Sequence, residues 1–197
     1  RLIKERLGSQ VQVIGMVNKS EGFSFDQQFE PNAILEHGQA ISNGSFTLRA
    51  IHTPGHASNH LCFFLEEESL LFSGDHLMDG STVVIAPPDG NMADYLDSLS
   101  LLLEYPIDCI APAHGNLITD AQAEIEKTIN HRLGRESKVL AALVSEAPCL
   151  LADLVPLVYD DVPAFMHPIA QQSLLAHLIK LKSDKRAAET EGRWGLS

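Results

Sequence analysis

Three short turns constrain this chain more than any other feature: Thr53-Pro54-Gly55-His56, Gly74-Asp75 and Ala113-His114-Gly115. Each sits beside a run of apolar residues, each contains a glycine, and each carries a side chain able to bind a metal. Apolar strands that end in polar, glycine-containing turns place those side chains on the rim of a sheet, where sites are usually built. A histidine, a carboxylate and a second histidine suit zinc or a similar borderline metal. A lone histidine in a glycine turn is more often structural. Three such turns in this order make a joint signal.

The segments between them give those turns a place. Leu61 to Leu65 and Leu70 to Phe72 form a hairpin around Glu66-Glu67-Glu68-Ser69, an acidic turn expected to be solvated. His56 precedes its first strand and Asp75 follows its second, so both fall at the same edge. Ile34 to Leu35, Ala40 to Ile41 and Phe46 to Ile51 are expected strands, with Asn43-Gly44 as a hairpin turn. The Gly- and Pro-rich segment from Asp79 to Asn91 is a loop able to wall a pocket. Met92 to Leu103 is an amphipathic helix capped by Asn91, with Tyr95, Leu96, Leu99, Leu102 and Leu103 on one face. Ile107 to Ile110 is a strand leading to His114. Asp120 opens a long helix with Ile125, Ile129 and Leu133 stacked, continuing through Val139, Leu140 and Leu143. Upstream, Leu2 to Leu7 ends a helix, Val11 to Val17 alternates as a strand, and Asn18 to Asn32 is a loop. Beyond Pro148, two helices (Leu150 to Tyr159, Pro168 to Leu181) and a hairpin over Asp184 to Trp194 follow. With the end of the long helix they make a winged-helix unit over residues 136–197, after a first domain over 1–135.

The three turns resemble the later half of the metallo-β-lactamase superfamily. Ser81 to Asp97, His131-Arg132 with Arg135-Glu136, and His167 to Leu181 are similar to the subfamily with a C-terminal winged helix. The resemblance implies an α/β fold: the second half of an αββα sandwich followed by that unit. It implies that His56 binds one zinc, that Asp75 bridges two and is the catalytic carboxylate, and that His114 binds the second. His60 and His131 are implied as groups beside the site or in contact with substrate. The family's first motif, His-x-His-x-Asp-His, is absent, and no His-x-His occurs among the 9 histidines. The expectation is a chain lacking the first half of the lactamase domain, with two ligands left for each metal, hence metal-poor and inactive by itself. The whole protein is expected to be a zinc-dependent hydrolase.

In a two-metal site the ions lie about 3.5–4 Å apart and share an anionic bridge, and a metal-activated hydroxide attacks an ester, thioester, amide or phosphodiester. A single-stranded RNA endonuclease is the alternative enzyme, and a non-catalytic winged-helix binding module the alternative outside catalysis. Structural readings stand beside these. His60 at a strand start is more often packed or hydrogen-bonded than a ligand. His131 on a helix is more often a surface or interdomain residue. Ser73 is a turn residue, and His76 points away from Asp75.

Net charge of −12 disfavours duplex DNA as a partner. The start of the last helix offers Gln171, Gln172 and Ser173 without Arg or Lys, which points the same way. A small molecule or single-stranded RNA remains as substrate. No apolar run is long enough for a membrane span. Cys62, Cys109 and Cys149 read as buried reduced thiols, consistent with a cytoplasmic protein. Half a sandwich leaves sheet edge and apolar face uncovered, which favours a homo-oligomer.

Overall fold

The computed structural model describes Arg6, Gly8 and residues 11–18, 30–146 and 148–197. All but Arg6 of the helix end expected over Leu2 to Leu7, and most of the loop expected over Asn18 to Asn32, lie outside those residues. Val11 to Val17 is a strand only at β1 (Ile14–Gly15), which pairs in parallel with β2 (Ala33–Ile34). Alternation alone does not make a strand where the partner offers so short a ladder.

The main sheet has five strands in the order β3 (Ala40–Ser42), β4 (Thr47–His52), β5 (Leu61–Leu65), β6 (Leu70–Gly74) and β7 (Cys109–Pro112). Neighbours from β3 to β6 are antiparallel, and β7 adds in parallel to β6. Asn43 and Gly44 form the β3–β4 turn, with Asn43 Oδ1 accepting from the Ser45 amide at 3.0 Å and Gly44 at φ 87°. The acidic turn after β5 is held rather than merely solvated. Glu66 takes the Arg49 Nε–H at 2.6 Å, and Glu67 accepts from the Thr47 amide at 2.8 Å, so the turn folds back on β4.

Helix α1 (Met92–Leu102) and helix α2 (Ala121–Glu146) cover one face of this sheet. Asn91 caps α1 by accepting from the amides of Ala93 and Asp94, and Asp120 caps α2 through the Ala123 amide. Ile51, Cys62, Phe64, Leu71, Leu99, Leu102, Ile110 and Ile125 meet in the core between them. Each large apolar side chain fully buried there contributes roughly 1.5–3 kcal/mol. The other face of the sheet is less covered: Phe72 is 43 % exposed and Phe63 half-buried. Leu103 is 40 % exposed because α1 stops at Leu102 and Leu103 falls in the following turn. Leu133 is 44 % exposed because the inward face of α2 there is polar, made of buried Arg132, Arg135 and Glu136.

Helix α2 runs unbroken through residues 135 and 136 into the C-terminal unit. There it packs on α3 (Leu151–Val158) and α4 (His167–Ser183). A small sheet of order β8 (Cys149–Leu150), β10 (Arg193–Leu196) and β9 (Ala187–Thr190) closes the unit. Its hairpin turns at Glu191 (φ 53°) and Gly192 (φ 75°), the left-handed pair that the twist of a tight hairpin requires. Leu143, Leu154, Leu174, Leu178, Leu181 and Trp194 form this second core. Glu136, nearly buried, receives Lys180 Nζ at 2.9 Å and Arg186 Nη1 at 2.9 Å, joining α2 to α4 and the start of the wing.

Candidate metal centre

The strand registers place the three turns at one end of the sheet. His52 lies opposite Leu61, so the end of β4 meets the start of β5; antiparallel β5–β6 pairing brings in the end of β6, and parallel β7 ends beside it. The Thr53–His56 turn is pressed against α1. Gly55 has φ 137°, and a Cβ there would lie 2.4 Å from Tyr95 Cα, so only glycine fits. The Asn91 amide donates to Gly55 O at 2.8 Å and Ser98 Oγ to Pro54 O at 2.8 Å. His56 leaves this turn with Nδ1 2.8 Å from Val84 O. A carbonyl only accepts, so Nδ1 carries the proton and Nε2 presents its lone pair.

Asp75 follows Gly74, whose backbone faces His60 so closely that an added Cβ would stand 2.9 Å from Nε2. Its Oδ1 is buried and makes no hydrogen bond, although the side chain as a whole is 41 % exposed. His114 Nε2 lies 3.4 Å from that oxygen without hydrogen-bond geometry. Ligands held 2.0–2.1 Å from a tetrahedral ion stand about 3.4 Å from one another, so this pair has the spacing of two ligands of one metal. The His114 turn is pinned by Asp79, whose Oδ2 accepts from Asn116 N at 3.1 Å and Nδ2 at 2.9 Å. These bonds hold the Asp79 carboxyl below the usual carboxylate range. A Cβ on Gly115 would meet Asp79 Cβ at 2.6 Å, so glycine is again required.

His60 lies behind Asp75, with Nδ1 2.9 Å from Thr53 Oγ1. Burial, then the charge of His56, lower its pKa to about 4, with Asp75 partly opposing. His76 is fully buried, its ring 5.6 Å from that of His60 and 4.8 Å from that of Tyr95, whose hydroxyl donates to His76 O at 2.8 Å. Burial holds His76 neutral, its pKa well below the ordinary value. His52 Nε2 donates to Ser58 O, and its amide donates to His37 Nδ1. His131 is exposed on α2, and the charged groups that act on it are Arg132, Arg135, Asp161 and Lys127. Among the described residues, no hydrogen bond or ion pair joins it to His56, Asp75 or His114. The cysteines are unpaired; burial pushes the Cys62 thiol up to about 12.

The structure therefore brings Asp75 and His114 together, sets His60 and His76 behind them, and leaves His56 at the same end of the sheet. Among the described residues, no three His, Cys, Asp or Glu side chains gather closely enough to hold a metal by themselves. Two contributors escaped sequence reasoning. Asp79 stands in an Asp-Gly turn, which signals a bend but names no partner. The Val84 carbonyl has no signal at all, since every residue has one.

Comparison with known proteins now decides the family. The metallo-beta-lactamase superfamily matches residues 7–114, and the beta-lactamase associated winged helix domain matches residues 151–194. The chain belongs to the metallo-beta-lactamase superfamily. Within it, an atrochrysone carboxyl ACP thioesterase from Aspergillus chevalieri is 32 % identical over 169 residues, covering 80 % of this chain and 54 % of that protein. A beta-lactamase-like protein 2 homolog from Drosophila melanogaster is 33 % identical over 152 residues, 76 % of this chain and 50 % of the relative. The crystal structure of a metallo-beta-lactamase family protein from Thermus thermophilus superimposes with a TM-score of 0.74 at 26 % identity, over 86 % of this chain and 55 % of that one. The chain thus spans about half the length of these superfamily relatives. Among the described residues, no helix is long and apolar enough to cross a membrane.

Proposed function

We propose that the chain supplies part of the metal centre of a hydrolase acting on a thioester. The observation that carries this is the buried, unbonded Asp75 Oδ1 with His114 Nε2 3.4 Å away. A carboxylate oxygen desolvated without a hydrogen bond is costly, and a cation is the partner that offsets the cost. The donor chemistry of His56, Asp75 and His114 fits zinc or another borderline metal. A metal held there would supply an acidified water and polarisation of the scissile carbonyl. The chain's own groups keep the edge in the right charge state. The Val84 carbonyl keeps the His56 proton on Nδ1. His60 and His76 stay neutral by burial, so neither ring brings a positive charge up against the ligand positions. Asp79 holds the His114 turn against the Asp75 turn.

The thioester is supported by the Aspergillus chevalieri relative, a thioesterase by name. Single-stranded RNA is the weaker reading for a chain of net charge −12 whose Ser173 turns inward onto the Ile85 amide. The winged-helix unit is then a structural rim, with duplex DNA and membranes outside its partners. The ligand count implies that the 197-residue chain binds metal weakly. The test compares hydrolysis of an acyl thioester and of single-stranded RNA by a form of the protein carrying the His-x-His-x-Asp-His segment, with and without Asp75→Asn. Thioester turnover lost in the variant is the expected result. Thioester turnover that survives Asp75→Asn, or cleavage of RNA alone, overturns the proposal.

A further inference from the structure

We propose that helix α2, through Arg132, and helix α4 of the winged-helix unit, through Ser173, together position the ring of His56 by clamping the three-residue segment Val83-Val84-Ile85; the consequence for metal binding rests on the reading of His56 as a ligand. Three consecutive residues carry three tethers. Val83 O accepts from Arg132 Nη2 on α2 at 2.5 Å. Val84 O accepts from His56 Nδ1 at 2.8 Å. The Ile85 amide donates to Ser173 Oγ on α4 at 3.1 Å. The segment belongs to no strand, so no ladder sets its position. The two flanking tethers, with the buried side chains of Val83 and Ile85, decide where the Val84 carbonyl points.

Both flanking partners are themselves fixed. Arg132 is 3 % exposed, enclosed with its guanidinium carbon 5.2 Å from the Tyr95 ring centroid. Ser173 is 5 % exposed, and Ala176, one turn further along α4, packs into the core of the lactamase half. Serine and alanine at these positions let α4 approach the segment closely. The Val84 carbonyl in turn selects the tautomer that leaves Nε2 unprotonated, and a partner of this kind orients a ligating histidine and tunes its basicity. Arg132 and Ser173 are therefore positioning residues, reaching His56 through backbone alone.

The experiment uses the 197-residue chain, labelled with ¹⁵N, and reads the His56 ring by long-range ¹H–¹⁵N correlation and by exchange of its Nδ1 proton, with assignment by His56→Gln. Ser173→Ala removes the acceptor on α4. Arg132→Gln, measured alongside, releases the neighbouring carbonyl from α2, so the outcome does not depend on one variant folding. Leu181→Val, in the core of the same unit but away from the segment, controls for lost stability. Zinc affinity is measured by competition with a chromophoric chelator. In the parent chain the Nδ1–H tautomer dominates. In the two clamp variants Nδ1–H exchange speeds up at least about threefold and zinc binds about 3–10-fold more weakly, somewhat less than loss of a direct partner of a ligand. In Leu181→Val, at equal loss of melting temperature, neither changes. Unchanged ring signals in both clamp variants, or the same change in Leu181→Val, overturn the proposal. If the ring signals respond as stated while the zinc affinity of the clamp variants equals that of the parent chain, the positioning stands and the metal reading of His56 falls.

Discussion

Gly55→Ala should cost this protein a large part of its stability. The backbone at Gly55 has φ 137°, where L side chains are rarely found, and holding alanine there costs about 1–3 kcal/mol. The new methyl would also lie 2.4 Å from Tyr95 Cα, 2.5 Å from its Cβ and 2.7 Å from its N. These atoms belong to the start of α1 and are not the free end of a side chain. Tyr95 is 1 % exposed and its hydroxyl is tied to His76 O, while Asn91 N and Ser98 Oγ bond the same turn. Relief by movement therefore breaks hydrogen bonds, and overpacking of this kind costs about 1–3 kcal/mol. The two effects together reach roughly 2–6 kcal/mol against a total of about 5–15 kcal/mol for an ordinary domain. At this chain length that lowers the melting temperature by roughly 5–20 °C. Urea and thermal unfolding followed by circular dichroism would measure it. Gly44→Ala is the comparison: φ is 87° but nothing lies within 4 Å, so only the conformational cost remains. If Gly55→Ala loses no more than Gly44→Ala, the close approach of the turn to α1 has no energetic weight and the reasoning fails.

Three further outcomes are expected. Burial, and then the charges of Arg132, Lys180 and Arg135, hold the His177 ring at about 3 against 6.5 in the unfolded chain. The unfolded state takes the proton first, so stability is whole above pH about 6.5 and falls by roughly 1 kcal/mol per unit as the pH drops towards 3. In His177→Gln the urea midpoint should flatten between pH 6 and 4 by that amount, and curves parallel to the parent's would refute it. Passed through metal-free buffer, the 197-residue chain should retain little zinc by atomic absorption, since catalytic sites usually draw about three protein ligands; two stoichiometric ions would contradict this. In fluorescence anisotropy at physiological salt, the chain should show no sequence-dependent binding to duplex DNA, and tight selective binding would show that the winged helix reads bases.

Much of the layout was legible because its causes are local. Asn43-Gly44 demands a tight turn, Asn91 and Asp120 offer side chains to the amides that follow them, and Gly192 supplies the left-handed position in the wing. The two apolar runs around Glu66-Glu67-Glu68 had to pair, and that pairing brings Thr53-Pro54-Gly55-His56 and Gly74-Asp75 to one end of the sheet. Parallel addition of β7 then carries Ala113-His114-Gly115 to the same end. The resemblance to the family was legible in these same residues, and the match over residues 7–114 bears it out.

Only the tertiary structure decided the rest, because it depends on partners far away in the chain. Arg132, Arg135 and Glu136 are charged residues on a helix, and nothing beside them in the sequence says that they are buried. They are buried because Val83 O, Asp161 and the pair Lys180 and Arg186 reach them from 26 or more positions away. That polar inward face turns Leu133 out to solvent. Likewise, Ser173 stands on a helix start that could face a nucleic acid, and packing turns it onto the Ile85 amide instead. The lone pair that His56 presents is set by a backbone carbonyl, which no residue type announces. Sequence can show which groups are able to bind a metal; the direction each one points is settled by the backbone packed behind it.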